Sequence, residues 1–272
     1  MFASSHCLAL VVLLSGAWLT PTGLAQISCD PNELLDRKQC AKTISQIVYD
    51  KPQNTLDRFS TIFARTSGNC TIIVSNPNKG VVTKQQIEAG YAGIFDQCKP
   101  NSGQTPLTNG VYLQSQNHSS GHDTDYFPPR TLTCGLNTNA PLTVAKDCQD
   151  AFKSILVDGQ GTLSGDHHQP ASNILKTTRT CTVLIYTTDN SPLIAAMEKP
   201  TYLILNFTSS NNISKKSEIS PVVSKIIKDC EGESSVISLT KGGSGNNGLT
   251  VIKVRSSKRC GSRVDSDGQV CN

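Results

Sequence analysis

The sequence predicts an α+β protein, a tandem repeat of two disulfide-stapled β-α-β-β-α-β domains that each close as a ferredoxin-like α/β sandwich. Three features occur twice along the chain and predict this class. They are an ordered set of four cysteines, apolar residues at helical spacing after the second cysteine, and a β-branched run that begins at the third. The two sets are Cys29, Cys40, Cys70 and Cys98, and Cys134, Cys148, Cys181 and Cys230.

The first elements of each copy follow from matched offsets. A short strand is expected before each first helix, near residues 27–29 and 131–134. The first helices are predicted from Ile44, Ile47 and Val48, and from Phe152, Ile155 and Leu156. Each run ends at an aspartate, Asp50 or Asp158, and a central strand then starts at Cys70 or Cys181. We therefore expect the same fold in both copies.

The second helices show the clearest periodicity. Thr83 with Gln86 predicts a capping box in copy one, and Ser220 with Pro221 predicts a helix start in copy two. A last strand is expected at residues 110–113 in copy one, and strands are expected at 236–239 and 249–252 in copy two. The apolar positions that align are Ile87, Tyr91, Ile94, Phe95 and Cys98 in copy one and Ile219, Val223, Ile226, Ile227 and Cys230 in copy two.

A ferredoxin-like unit makes its first and third strands neighbours and brings the start of the first helix near the end of the second. One of the three possible pairings of four cysteines satisfies both conditions. The predicted bridges are Cys29–Cys70, Cys40–Cys98, Cys134–Cys181, Cys148–Cys230 and, in the C-terminal loop, Cys260–Cys271.

The predicted organisation begins with a secretory signal peptide at residues 1–25, which contains a short apolar core. Its cleavage removes Cys7 from the mature chain. The first repeat follows at 26–113, a polar linker at 114–130, and the second repeat at 131–255, with an insertion at 187–216. A basic tail closed by a disulfide occupies 256–272. Ten cysteines remain after signal removal, and an even number in an oxidising compartment favours five disulfides. The predicted glycosylation sites are Asn69, Asn117, Asn206 and Asn212.

Composition and motifs argue against several functions. A net charge of +4 with no clustered basic face argues against nucleic-acid binding, and no segment after residue 25 is long and apolar enough to span a bilayer. Asp265 and Asp267 lack the later ligands of a Ca²⁺ loop, and the glycine-rich stretch 242–248 lacks the ending of a phosphate loop, so we interpret it as a flexible hairpin loop. We expect no catalytic residue, no metal ligand and no cofactor.

Histidines and basic residues remain as weaker candidates. His118, His122, Asp123 and Asp125 have metal-ligand chemistry, as do His167 and His168, but a solvated linker is the favoured interpretation for the first set. Carboxylates that meet only in three dimensions would indicate a hydrolase. Lys258-Arg259 matches a processing site if the source is fungal. The basic tail is expected to solubilise the terminus, and its residues are Lys253, Arg255, Lys258, Arg259 and Arg263.

The sequence is compatible with two arrangements of the repeats. The third strands are partly apolar on the sheet face away from the helices, so we expect the repeats to pack against each other over that face. The alternative is two independent beads on a linker, which would unfold separately.

The Cys-Thr-rich central strand and the second helix ending at Asp96-Gln97-Cys98 or Asp229-Cys230 resemble the small cysteine-rich secreted proteins of plant-associated fungi. The topology is similar to the α/β killer toxins of smut fungi and to necrosis-associated effectors. The resemblance implies a secreted, effector-like or toxin-like binding protein, monomeric, with an extracellular or host-surface partner. The alternatives are an inhibitor of host proteases, presenting loops such as Asn76 to Gly80, and a secreted hydrolase.

Overall fold

The computed structural model describes residues 26–118, 129–136, 140–193, 215–240 and 243–258. They form two α+β units, here called repeat 1 and repeat 2, so the predicted tandem α+β class is confirmed. Repeat 1 contains β1 (Ser28–Leu34), α1 (Arg37–Ile44), β2 (Ile62–Ser67), β3 (Cys70–Ser75), α2 (Lys84–Gln97), β4 (Asn101–Pro106) and β5 (Tyr112–Asn117). Repeat 2 contains β6 (Thr133–Cys134), α3 (Ala145–Lys153), β7 (Asn173–Thr178), β8 (Cys181–Thr187), α4 (Lys216–Asp229), β9 (Ser235–Leu239) and β10 (Thr250–Ser256).

Each repeat has a five-stranded antiparallel sheet, one strand more than the ferredoxin-like unit. The strand orders are β1-β4-β5-β3-β2 and β6-β9-β10-β8-β7. The second helix is followed by a hairpin, β4-β5 or β9-β10, and the first strand pairs with the first member of that hairpin. The first and third strands are therefore not neighbours, and the expected ferredoxin-like order is wrong.

The changed strand order changes the disulfide pairing. The bridges are Cys29–Cys98, Cys40–Cys70, Cys134–Cys230 and Cys148–Cys181. They replace the predicted Cys29–Cys70, Cys40–Cys98, Cys134–Cys181 and Cys148–Cys230.

The physical reason lies at the start of β4. This strand begins directly after α2 and places Gly103 opposite Cys29, so the end of α2 at Cys98 lies beside β1. The first helix packs on β2 and β3 instead, which brings Cys40 to Cys70. The predicted Cys260–Cys271 bridge lies outside the described residues.

The second helices pack their apolar stripes on the sheets as their spacing predicts. Ile87, Tyr91 and Ile94 of α2 are buried, and Ile219 and Val223 of α4 are buried at the matching positions. The capping box at Thr83 and Gln86 is confirmed, since each side chain accepts a hydrogen bond from the other residue's backbone N–H.

The start of α4 differs from the prediction at Ser220 and Pro221. The helix begins one turn earlier, after Lys215, and contains Pro221 inside it. The earlier turn is held by Lys216, whose Nζ donates to the carbonyls of Lys153 and Ile155 at the end of α3, at 2.8 and 2.6 Å. Burial lowers the pKa of Lys216.

Both predicted boundaries of the linker and the tail need correction. Strand β5 continues to Asn117, inside the segment assigned to the linker 114–130. Lys253 and Arg255, grouped above with the basic residues of the tail, lie in β10, which has a neighbouring strand on each side. This strand ends at Ser256, one residue beyond the predicted end of the second repeat at 255. In the described part of the chain, no helix is long and apolar enough to cross a membrane.

Candidate functional site: the junction between the two repeats

The two repeats contact each other through loops at the ends of strands. Repeat 1 contributes residues 48–62, here called the junction segment, which connects α1 to β2. Repeat 2 contributes residues 188–192 after β8 and the glycine-rich loop 243–249 between β9 and β10. The far sheet face of repeat 1 keeps Ile62 and Tyr112 exposed, so the expected face-to-face packing does not form in the described chain.

Backbone hydrogen bonds fix the junction segment at both ends. At its C-terminal end, the Thr61 N–H donates to the carbonyl of Asp189 at 3.0 Å, and the Asn190 side chain donates to the Thr61 hydroxyl at 3.2 Å. At the other end, the Asn247 side-chain amide accepts from the Val48 N–H and donates to the Val48 carbonyl, both at 2.9 Å. Asn247 thus pairs with Val48 as a neighbouring strand residue would.

Asp57 is the central acceptor of the junction. Its side chain is 2% exposed, and Oδ1 accepts from the backbone N–H groups of Phe59 and Ser60 at 2.9 and 2.7 Å. Oδ2 accepts from the Asn246 backbone N–H at 3.1 Å and from the Asn247 side chain at 3.2 Å. Four N–H donors from both repeats converge on this carboxylate, which compensates for its burial.

Asp189 is the second buried carboxyl group and comes from repeat 2. It is 0% exposed, and its Oδ1 accepts from the Ser191 N–H and hydroxyl at 3.1 and 2.6 Å. The Ser60 Oγ lies 2.7 Å from Asp189 Oδ2 and 2.8 Å from Asp57 Oδ2. A single hydroxyl therefore joins one carboxyl group from each repeat.

The glycine-rich loop is shaped by this contact. A Cβ atom at Gly245 would overlap Asp189 Oδ2 and the Ser60 hydroxyl, and a Cβ at Gly248 would overlap both Asp189 oxygens. The loop backbone can approach Asp189 only because these residues lack side chains. The stretch 242–248 lies in the hairpin between the paired strands β9 and β10, as predicted. Its described residues also contact repeat 1 at Asp57, Ser60 and Val48, a role that the sequence did not indicate.

Three large apolar side chains of the junction segment remain in contact with solvent. Val48 is 45% exposed, Phe59 50% and Ile62 45%, although their neighbours in sequence are bonded to repeat 2. Polar atoms at both ends of the segment bond to repeat 2, while these three side chains remain exposed on the same segment.

Repeat 2 has an equivalent surface, but its own chain fills it. Leu156, Asp158 and Ser164 correspond in sequence to Val48, Asp50 and Asp57. Whereas the Asn246 side chain of repeat 2 donates to Asp50 at 2.6 Å, Asp158 accepts from its own loop, and the Leu156 carbonyl accepts from the Ser164 N–H at 3.0 Å.

A longer loop completes this internal cap. Copy two has eight residues between Leu163 and Ser172, where copy one has four between Leu56 and Thr61. Within the longer loop, His168 donates from Nδ1 to the Val157 carbonyl at 3.0 Å. The Asp166-His167-His168 motif therefore covers a surface of repeat 2, and repeat 2 presents no second junction surface in the described residues.

The remaining candidates from the sequence are dispersed. His118 lies near Thr71 at the end of β5, whereas His122, Asp123, Asp125, Asp265 and Asp267 lie outside the described residues. No group of three or more His, Cys, Asp or Glu side chains that could hold a metal occurs in the described ranges. The predicted glycosylation sites Asn69 and Asn117 lie at adjacent strand ends, since the His118 N–H donates to the Asn69 carbonyl at 3.1 Å. Asn206 and Asn212, like Arg259 and Arg263, lie outside the described residues.

Sequence reasoning missed Asp57, Ser60, Asp189 and Asn247. No motif links them, because the two halves of the junction lie more than a hundred residues apart. The available signal was the Gly245-Asn-Asn-Gly248 stretch, since closely spaced glycines indicate either flexibility or a close backbone approach.

Comparisons with known proteins give one structural similarity. No model of a known protein family matches the chain, and no curated protein matches it. The chain is similar to the crystal structure of the tandem DUF26 ectodomain from the Arabidopsis thaliana cysteine-rich receptor-like protein PDLP8, with 10% sequence identity and a TM-score of 0.30. The match covers 86% of this chain and 98% of that one.

Proposed function

We propose that the protein is a secreted, non-enzymatic binding protein whose contact surface is the apolar side of the junction segment. The observation that carries this proposal is the exposure of Val48, Phe59 and Ile62 on a backbone fixed by repeat 2. Exposed apolar side chains grouped in one segment are typical of interaction sites, and an aromatic residue is a frequent anchor of such sites.

The junction explains why this surface suits binding. A loop that is ordered before the partner arrives loses less conformational entropy on association than a free loop of the same length. The junction segment is held by Asp189 at one end and by Asn247 at the other, so Phe59 lies between two anchored points. Repeat 2 thus acts as a brace for the surface of repeat 1.

The compartment part of the proposal rests on the cysteines. The eight cysteines within the described ranges form four disulfides, a pattern of proteins that fold in an oxidising compartment. The effector-like role at a host surface follows from the resemblance to fungal secreted proteins and requires the partner to be a host molecule.

The hydrolase alternative is not favoured by the contacts of the acids. Asp57 and Asp189 are the two carboxyl groups that the fold brings together from distant positions, but both are buried and bonded within the junction. A substrate bond would need a reachable acid and base on its two sides. The buried pair Asp57 and Asp189 provides neither the reachable acid nor the reachable base.

The protease-inhibitor alternative is not favoured by the loop Asn76 to Gly80. Lys79 has a φ of 54°, which is left-handed backbone, and the Asn76 side chain folds the loop by accepting from the Gly80 N–H at 2.8 Å. Recognition by strand addition requires an extended peptide. This loop is a closed turn.

The test is affinity capture of partners from host extracellular fluid with the disulfide-bonded mature protein. We expect the variant Phe59→Ser/Ile62→Ser to lose the captured protein while keeping its thermal stability. The matched control is Leu142→Ser, which removes a 64% exposed apolar side chain in repeat 2. Equal capture by the wild type and the junction-segment variant would refute the proposed surface.

A further inference from the structure

The chain contains two Asn-Gly dipeptides, and one of them, Asn247-Gly248, lies in the glycine-rich loop of the junction. Asparagine before glycine is especially prone to deamidation, because glycine has no Cβ to shield its backbone nitrogen. That nitrogen attacks the side-chain amide carbon of the asparagine, and a new carbon–nitrogen bond closes a succinimide ring. The N–H proton leaves with the amide nitrogen as ammonia. Water then opens the ring and gives aspartate or isoaspartate.

The structure holds the two asparagines in opposite ways. Asn247 is 0% exposed, its Nδ2 donates to the Val48 carbonyl at 2.9 Å and to Asp57 Oδ2 at 3.2 Å, and its Oδ1 accepts from the Val48 N–H at 2.9 Å. Asn109, of the dipeptide Asn109-Gly110 between β4 and β5, is exposed, and its Nδ2 lies 3.4 Å from the Val81 carbonyl. The closed junction therefore fixes and shields the amide of Asn247, whereas water reaches Asn109 in the folded protein.

We propose that Asn247 is a deamidation site that reacts only when the junction opens, and that its conversion then keeps the two repeats apart. The side chain must release Val48 before its amide carbon can turn toward the Gly248 nitrogen, and water must reach the leaving amide. Both conditions require the contact between the repeats to open. The rate of conversion therefore follows the fraction of molecules with an open junction.

The product cannot restore the contact. In aspartate an oxygen atom replaces the amide nitrogen, which in the closed junction donates to two oxygen atoms, the Val48 carbonyl and Asp57 Oδ2. A carboxylate has no hydrogen to donate, so closure would bring oxygen against oxygen in a buried site. Isoaspartate also lengthens the backbone by one carbon beside Gly248, where a Cβ would already overlap Asp189. This inference concerns the contact between repeats and does not depend on the proposed binding function.

Peptide mapping by mass spectrometry measures the conversion at both sites after incubation of the disulfide-bonded mature protein at neutral to mildly alkaline pH. We expect Asn247 to convert at least about tenfold more slowly than Asn109, because only the open junction reacts. In the reduced and denatured chain the two rates should converge. Equal rates at the two sites in the folded protein would overturn the proposal.

Gly245→Ala opens the junction without changing the Asn-Gly dipeptide, because a Cβ at this position would overlap Asp189 Oδ2 and the Ser60 hydroxyl. We expect conversion of Asn247 to rise at least about fivefold, the lower end of the effect of overpacking, and conversion of Asn109 to stay unchanged. Unchanged conversion of Asn247 in a folded Gly245→Ala protein would contradict the proposal.

The matched control for this variant is Gly159→Ala, where a Cβ meets nothing within 4 Å. Both conversion rates should equal those of the wild type in the control. If Gly245→Ala does not fold, the ratio of the two rates in the wild type still decides.

The variant Asn247→Asp tests the effect of the product, and Asn109→Asp is the matched change at the exposed site. Hydrogen exchange of the Thr61 amide, which donates to the Asp189 carbonyl across the junction at 3.0 Å, reports closure. We expect its protection to fall in Asn247→Asp and to stay at the wild-type level in Asn109→Asp. The Ile87 amide of α2 should keep its protection in both. Wild-type protection of Thr61 in Asn247→Asp would overturn the proposal, as would an equal loss at Ile87.

Discussion

At the scale of single residues, the junction depends on side chains that are absent as well as on those that are present. The carboxyl group of Asp189 occupies the space that a Cβ atom would need at Gly245 and Gly248. The amide of Asn247 then reaches the Val48 backbone from the same loop. The glycines therefore contribute by leaving space for the Asp189 carboxyl group.

The first prediction tests this spatial requirement. Gly248→Ala inserts a methyl group against both oxygens of Asp189, so we expect the free energy that couples the two repeats to fall by about 1–3 kcal/mol, the usual cost of overpacking. Denaturant unfolding provides the measurement.

The matched control is Gly159→Ala, since a Cβ there meets nothing within 4 Å. We expect this change to be neutral or to stabilise by about 0.4–1 kcal/mol, because alanine restricts the unfolded chain. Equal destabilisation by both changes would show that the close approach at Gly248 carries no energetic weight.

At the scale of elements, the two second helices differ in how they begin. The N-cap of α2 is Thr83, whose hydroxyl accepts from the Gln86 N–H at 3.2 Å, whereas the N-cap of α4 is Lys215, which makes no side-chain cap bond. At equivalent positions, the start of α2 thus has a side-chain cap and the start of α4 lacks one.

The second prediction follows from this difference. We expect Thr83→Ala to lower the free energy of unfolding by about 1 kcal/mol, because an orphan N–H loses its acceptor. Lys215→Ser should raise it by about 0.5–1 kcal/mol, because it supplies the missing acceptor. A stabilising effect of Thr83→Ala, or a loss of stability in Lys215→Ser, in thermal unfolding would contradict this account of the helix starts.

The disulfides are the other stabilising feature at this scale. In the chain-entropy model, the Cys40–Cys70 bridge closes a separation of 30 residues and the Cys29–Cys98 bridge one of 69. We expect removal of each pair by double serine substitution to cost about 3.5 and about 4.5 kcal/mol respectively.

The location of each bridge adds a local readout. Cys29 lies on β1, an edge strand whose residues are mostly exposed, so its loss should also release β1 from β4. Hydrogen exchange of the β1 amides should therefore rise in Cys29→Ser/Cys98→Ser and stay low in Cys40→Ser/Cys70→Ser. The reverse pattern would show that β1 is held by other contacts.

Sequence patterns predicted the helices better than the sheet. The apolar stripes of α2 and α4 are long and periodic, which fixes both their type and the buried face. Strand β4 has the sequence Asn-Ser-Gly-Gln-Thr-Pro, with no apolar alternation, and its place beside β1 is decided by tertiary pairing. In copy one this unrecognised strand led to the wrong strand order and disulfides. In copy two both hairpin strands were predicted, and the error was the pairing of the first strand, which lies beside β9.

At the scale of the whole molecule, the two repeats differ in which part of the chain covers their equivalent surfaces. Repeat 1 presents an open junction segment that repeat 2 fills, and repeat 2 fills its own equivalent surface with the loop that contains His168. A contact of this kind could add further repeats in the same direction. The loop of repeat 2 covers the surface on which a third repeat would pack.

The central claim is that the buried polar junction makes the two repeats one structural unit. Differential scanning calorimetry of the wild type and of Gly248→Ala tests it most directly, because it counts the cooperative transitions. We predict one transition in the wild type and two separate transitions in Gly248→Ala, where the repeats are uncoupled but keep their own disulfides. Two independent transitions in the wild type, unchanged in the variant, would contradict the claim and show two beads on a linker.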